Sequence, residues 1–208
     1  MIRLTLQDTG KRFNREWIFR SLNITLQQGD NLAILGANGS GKSTLARVMS
    51  GFMIPSAGNV IFEIEGNVID SNACYRHLSY AAPYLDLPEE FTLSGMLDFH
   101  RKFKPIVNDL STPDLIARLG MEQHAHKPIV KFSSGMKQRV KLLLAVLTRV
   151  PLTFLDEPTV NLDDEGIEWY RNLLAEYADQ RILVICSNHQ IAEHDFCPKV
   201  LHLSDYKS

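Results

Sequence analysis

The strongest constraint on the fold is a junction near residue 36. Leu32-Ala33-Ile34-Leu35 is an unbroken apolar run, and it passes directly into Gly36-Ala37-Asn38-Gly39-Ser40-Gly41-Lys42-Ser43. A helix is predicted from Lys42 to Ser50, with Leu45, Val48 and Met49 on one side and Gly51 as its stop signal. The octapeptide fits the Gly-x-x-x-x-Gly-Lys-Ser/Thr pattern in full, between a strand and a helix, where such a loop belongs. Its backbone N–H groups converge on phosphate oxygens, and the helix N-terminus adds favourable partial charge. Lys42 is placed to neutralise β- and γ-phosphates, Ser43 to ligate Mg²⁺ through its hydroxyl, and Thr44 to touch the α-phosphate.

A second apolar strand, Leu152 to Asp156, delivers a carboxylate at its C-terminal end, the edge where parallel sheets bind ligands. Asp156 is expected to hold Mg²⁺, directly or through water. Glu157 follows as the candidate general base for an attacking water.

The rest of the chain fills in an α/β pattern. Leu4 and Leu6, then Leu22, Ile24 and Leu26, alternate with polar residues as short half-buried strands do. A β segment is predicted around Val60-Ile61-Phe62 and another over Leu78 to Ala82. From 83 to 150 the character is helical. Leu93, Met96, Leu97 and Phe99, then Leu115, Ile116 and Leu119, predict short amphipathic helices broken by Pro105 and Pro113. Val140, Leu143, Leu144 and Leu147 fall at i, i+3, i+4 and i+7, with Lys137, Arg139, Lys141 and Arg149 as the polar complement. A helix over 163–178, with Asp163, Asp164 and Glu165 at its start, and a strand over 181–187 complete the order. The fold class is a phosphate-loop α/β core with a mostly parallel sheet, an N-terminal antiparallel β part and an inserted helical subdomain. One domain accommodates all 208 residues, with about 1–82 and 151–208 as the nucleotide-binding core and about 83–150 as the helical subdomain.

Bulk properties exclude little else. A hydrophobic content of 45% supports a full core, and a formal charge of −2 gives no reason to expect nucleic acid as a partner. Cys74, Cys186 and Cys197 are scattered without zinc spacing and read as reduced thiols. His124-x-His126 reads as a solvated loop, and no transition metal is assigned. The start of the chain shows no secretory signal. The apolar run Leu142–Leu147 is far short of the ~20 residues a bilayer span needs, so any membrane part is expected on another chain.

The motifs taken together resemble the ATP-binding cassette family, the nucleotide-hydrolysing domains of ABC transporters, over essentially the whole chain. Phe132-Ser133-Ser134-Gly135-Met136 stands where that family has its Leu-Ser-Gly-Gly-Gln signature. Ser133 and Gly135 resemble the pair that contacts the γ-phosphate of ATP bound by the opposite subunit; Ser133 can equally cap the following helix. Val160-Asn161-Leu162-Asp163 resembles the loop that ends in a conserved aspartate of the family, here Asp163. His189, after Ser187-Asn188, is similar to the switch histidine that contacts the γ-phosphate and positions the water of Glu157. Phe13 is the first candidate for the aromatic that stacks on adenine, with Trp17 as competitor and simple packing open to both.

The resemblance implies an ATPase with ATP and Mg²⁺ as cofactors. It implies pairing with a second cassette, as a homodimer or with a paralogue, and a separate integral membrane permease. Such a subunit would be cytoplasmic, peripheral on the inner face of the cell membrane. Two other classes share these motifs: a soluble cassette ATPase outside transport, and a degenerate regulatory cassette. One departure bears on coupling. The family places a glutamine after the strand near Tyr80, whereas this chain reads Ser79-Tyr80-Ala81-Ala82-Pro83-Tyr84-Leu85-Asp86. Pro83 or Tyr84 takes the glutamine's place, and Tyr84 or Asp86 are the polar side chains near enough in sequence to substitute.

Overall fold

The structure is a computed structural model that describes residues 1–188 and 190–207. The described chain falls into two compact units. One comprises residues 1–80, 150–157 and 180–208 and the other 81–149 and 158–179.

The first unit is built on two sheets. Strands β1 (Ile2–Phe13), β2 (Glu16–Gln27), β4 (Ala57–Ile64) and β5 (Asn67–Ile69) form an antiparallel sheet in the order β2-β1-β4-β5. Strands β3 (Asn31–Leu35), β6 (Leu78–Ala81), β7 (Leu152–Asp156), β8 (Ile182–Ser187) and β9 (Lys199–His202) form the second, in the order β6-β7-β8-β3-β9. Pairing is parallel between β7 and β8, β8 and β3, and β3 and β9. Strands β7 and β8 are buried along their whole length, which is why they read as continuous apolar runs rather than alternations. Helix α1 (Lys42–Met49) lays Leu45, Ala46, Val48 and Met49 into a core shared by both sheets, where Leu4, Leu6 and Phe19 meet Ile34, Phe154 and Val184.

The antiparallel strands are longer than the alternation suggests. Polar Gln7-Asp8-Thr9 interrupts the pattern, yet β1 continues through a bulge with Asp8 at φ 45° and register shifts on both sides of Thr9. The bulge turns Thr9 fully inward, where its hydroxyl donates to the Asn59 carbonyl at 2.8 Å. A polar residue is thereby buried at no hydrogen-bond cost.

The second unit is helical: α2 (Leu93–Phe103), α3 (Thr112–Leu119), α4 (Ser134–Leu147) and α5 (Asp164–Tyr177). Pro105 lies beyond α2 as expected. Pro113, expected as a breaker, instead sits in the first turn of α3, where its missing N–H is no loss, behind a capping box of Ser111 and Asp114. Helix α4 is buried on more than one side. Leu142 and Val146 are buried along with the predicted stripe, and Arg149 lies beyond the helix end. The Arg139 guanidinium stacks 4.9 Å from the Trp169 ring of α5, and the Trp169 Nε1–H donates to the Arg118 carbonyl of α3 at 2.8 Å. The guanidinium of Arg118 in turn donates to the Tyr177 hydroxyl at 2.8 Å.

The three cysteines are buried free thiols. Among the described residues, no helix is long and apolar enough to cross a membrane.

Candidate nucleotide-hydrolysing site

Parallel pairing brings the C-terminal ends of β3, β7 and β8 to one edge. Leu35 pairs with Ser187, and Asp156 pairs with Cys186. The chain leaves these ends as the glycine loop, as Glu157 and as Asn188. Three stretches far apart in sequence are therefore neighbours at the edge where such sheets bind ligands.

The loop from Gly36 to Gly41 delivers the chain into α1 with its first-turn N–H groups facing outward, as at any helix start without a side-chain cap. Gly41 is the tightest point. Its φ is 105°, and a Cβ there would lie 2.1 Å from Ile18 Cγ2 of β2, so only glycine fits. Lys42 is 4% exposed, and its ammonium donates to the carbonyls of Gly36 at 2.9 Å and Ala37 at 3.1 Å. It also lies 3.7 Å from Glu157 Oε1. Protein oxygens hold the lysine where a polyphosphate would replace them as the stronger anionic partner. The Ser40 hydroxyl is buried without a hydrogen-bond partner in the protein, an oxygen a ligand can satisfy.

Asp156 is 2% exposed at the end of β7. With the half-buried Ser43 hydroxyl in the first turn of α1 it supplies hard oxygen donors, the chemistry Mg²⁺ requires. Among the described residues no cluster of three His, Cys, Asp or Glu side chains could hold a metal by itself. Glu157 adopts φ 45°, the left-handed region that a glutamate rarely takes, and its N–H donates to the Cys186 carbonyl at 2.9 Å. That bond fixes the turn which sends its carboxylate toward Lys42. Local strain of this kind concentrates at working residues.

Two neighbours carried no signal of their own in the sequence. The Asn188 amide donates to Asn38 Oδ1 at 3.3 Å, tying the end of β8 to the phosphate loop. Cys186 lies fully buried with its Sγ 3.6 Å from the Lys42 carbonyl. Burial, reinforced by the Asp156 charge, pushes its thiol well above the ordinary range and keeps it protonated. His189 lies outside the described residues.

Phe13 and Trp17 differ in exposure. Trp17 packs against Gly10, where a Cβ would meet its Cζ3 at 2.9 Å, and the Arg12 guanidinium covers it at 5.5 Å. Phe13, at the tip of the β1–β2 hairpin, is 47% exposed.

The second unit carries the other candidates. Ser133 caps α4, its hydroxyl accepting the Met136 N–H at 3.2 Å. Gly135 approaches the loop before α5 so closely that a Cβ would lie 2.8 Å from the Asn161 carbonyl. Asp163 caps α5 by accepting the Gly166 N–H at 2.9 Å. The side chain of Gln138, buried in α4, donates to the Pro158 carbonyl at 2.8 Å and fixes the residue that follows Glu157. After β6 the Lys141 ammonium of α4 donates to the carbonyls of Ala82 at 3.3 Å and Pro83 at 3.1 Å. Burial lowers its pKa while the Asp86 charge opposes the shift. One turn earlier Lys137 pairs with Glu89.

A phosphate loop and an Asp-Glu pair on the exit edge of one parallel sheet define a phosphate-loop nucleotide hydrolase. The particular family follows from comparison. Residues 19–160 match the ABC transporter family, and the chain belongs to it, as an ATP-binding ATPase component. It is 26% identical over 213 residues to the lantibiotic transport ATP-binding protein SrtF of Streptococcus pyogenes, covering 98% of this chain and 84% of that protein. It is 30% identical over 194 residues to the cytochrome c biogenesis ATP-binding export protein CcmA of Rhizobium johnstonii, covering 90% and 88%. In fold it is similar to a bacterial ABC transporter cassette solved as a dimer, with a TM-score of 0.75 at 20% identity over 96% of this chain and 93% of that one.

Proposed function

We propose that this chain binds MgATP on the edge formed by β3, β7 and β8 and hydrolyses it as half of a two-cassette assembly that drives a separate membrane permease. The observation that carries the reading is the Lys42–Glu157 approach of 3.7 Å, which places the phosphate-neutralising cation and the candidate base in one pocket. Backbone N–H groups of Gly36, Ala37, Asn38, Gly39, Ser40 and Gly41, with those of Lys42, Ser43 and Thr44, cradle the phosphates. The Ser43 hydroxyl and Asp156 would hold Mg²⁺, which would supply charge neutralisation for the polyphosphate. Glu157 accepts a proton from water as its oxygen forms a bond to the γ-phosphorus; the bond from that phosphorus to the β–γ bridging oxygen breaks, and ADP leaves with the electron pair. Lys42 stabilises the charge that develops there. His189 is assigned to the γ-phosphate on resemblance alone.

Ser133 and Gly135 stand at the start of α4, where a capping hydroxyl lies beside first-turn N–H groups. We assign them, together with Asp163, to the ATP of a partner cassette. Such a subunit would lie on the cytoplasmic face of the membrane, held there by its permease. Replacing Glu157 with Gln tests the reading. The variant should retain ATP affinity, lose hydrolysis by about 10²-fold or more, and sediment as a dimer with MgATP, alone or with the co-purified permease. Undiminished turnover would remove Glu157 as base; a strictly monomeric ATP-bound variant in both preparations would remove the two-cassette assembly.

A further inference from the structure

We propose that Lys11 is a positioning residue for the nucleotide base, acting through Phe13; the inference rests on the reading of Phe13 as the base-stacking aromatic. Its starting point is where the hairpin tip lies. Ile18 of β2 packs on Gly41 of the phosphate loop closely enough to forbid any side chain there. Phe13 pairs with Glu16, two residues along β2 from Ile18. Ile18 is the unpaired residue of a bulge between Trp17 and Phe19, so the strand that reaches the phosphate loop at Gly41 also carries the hairpin tip with Phe13. An aromatic ring that is 47% exposed is suited to receive a base, whereas Trp17 is half-buried against Gly10.

Lys11 and Phe13 are two residues apart on β1 and share a face of the strand. The Lys11 ammonium sits 5.4 Å from the Phe13 ring centroid, and it is anchored there by donating to the Ile54 carbonyl at 2.8 Å. The segment that holds it is itself fixed. Ser56 N–H donates to the Gly10 carbonyl at 2.7 Å, and the Arg12 N–H donates to Ser56 Oγ at 3.2 Å. One face of the ring thus carries an anchored cation, and we assign the opposite face to the base. Two consequences follow. The ring loses rotamer freedom before binding, so less is paid on stacking. The cation draws ring density toward itself, and the free face becomes a better partner for an electron-rich purine.

The test uses the whole protein and direct calorimetry with two Mg²⁺-complexed ligands: ATP, which has a base, and inorganic tripolyphosphate, which has none. Lys11→Met should weaken ATP about two- to fivefold and leave tripolyphosphate unchanged, and Lys11→Arg should restore ATP affinity. Equal weakening of both ligands would mean that Lys11 serves the fold or the phosphates, and would overturn the inference. Phe13→Ala separates the role of the ring from that of Lys11. If it weakens ATP while Lys11→Met does not, Phe13 is the platform and Lys11 has no part in it. If Phe13→Ala leaves ATP affinity intact, the platform reading fails and the role of Lys11 with it.

Discussion

Gly41 concentrates what the phosphate loop asks of single residues. Replacing it with Ala brings a Cβ to 2.1 Å from the stiff, β-branched Ile18 and imposes φ 105° on a residue that avoids it. Gly41→Ala should therefore cost at least about 2 kcal/mol of stability and weaken ATP binding. Chemical denaturation measures the first and calorimetry the second. In an Ile18→Ala background the stability cost should shrink without vanishing, because the clash is relieved and the backbone strain is not; an unchanged cost would mean that Ile18 is not the obstacle. The loop itself was legible in the sequence because phosphate chemistry demands fixed residue types at fixed spacing. The left-handed turn at Glu157, the Asn188–Asn38 bond and the Lys11 anchor were not, since each depends on which strand ends become neighbours. Nothing in a one-dimensional pattern of residue types distinguishes an asparagine that joins two strand ends from one that faces water.

Among the elements, α4 shows both the reach and the limit of periodicity. Its i, i+3, i+4, i+7 stripe predicts the helix, and the buried Leu142 and Val146 are explained only by neighbours on a second side. The same holds for β1, where the bulge at Asp8 carries the strand past residues whose polarity suggested an end. The contact between α2 and the end of α4 yields a pH prediction. His100 Nε2 hydrogen-bonds the Thr148 hydroxyl at 2.8 Å, and burial, aided by Lys104, pushes the imidazole pKa down to about 4. The unfolded chain, with the ordinary value near 6.5, takes up that proton first as pH falls. The contribution is thus complete above pH ~6.5 and is lost on the way to about pH 4, with a ceiling of about 3 kcal/mol. Urea midpoints of the protein and of His100→Gln, measured from pH 7.5 to 4.5, should differ most at the upper end and converge at the lower. A gap that stays constant with pH would mean that His100 is not held neutral.

At the scale of the whole molecule, the question is why one chain carries, in two different units, two helix starts that we assign to phosphate. The phosphate loop, Asp156 and Glu157 belong to the first unit, and Ser133, Gly135 and Asp163 belong to the second. If the second set serves a partner's ATP, function should depend on the pairing of chains and not on any single intact copy. Lys42→Ala removes the phosphate cation and leaves the start of α4 intact. On the proposed assignment Ser133→Asp keeps a capping side chain on α4, sets a carboxylate against the partner's γ-phosphate, and leaves the phosphate loop intact. Each variant alone should be inactive, because both sites of its dimer are broken. In an equimolar mixture random pairing makes about half the dimers mixed, and each mixed dimer joins one sound phosphate loop to one sound α4 start. With two-fold pairing, about a quarter of the normal activity should return. Activity no greater than the sum of the two parents would show that each chain hydrolyses ATP with its own residues alone. Recovery above that sum requires that residues from two chains meet at one phosphate, which no rearrangement within a single copy can produce.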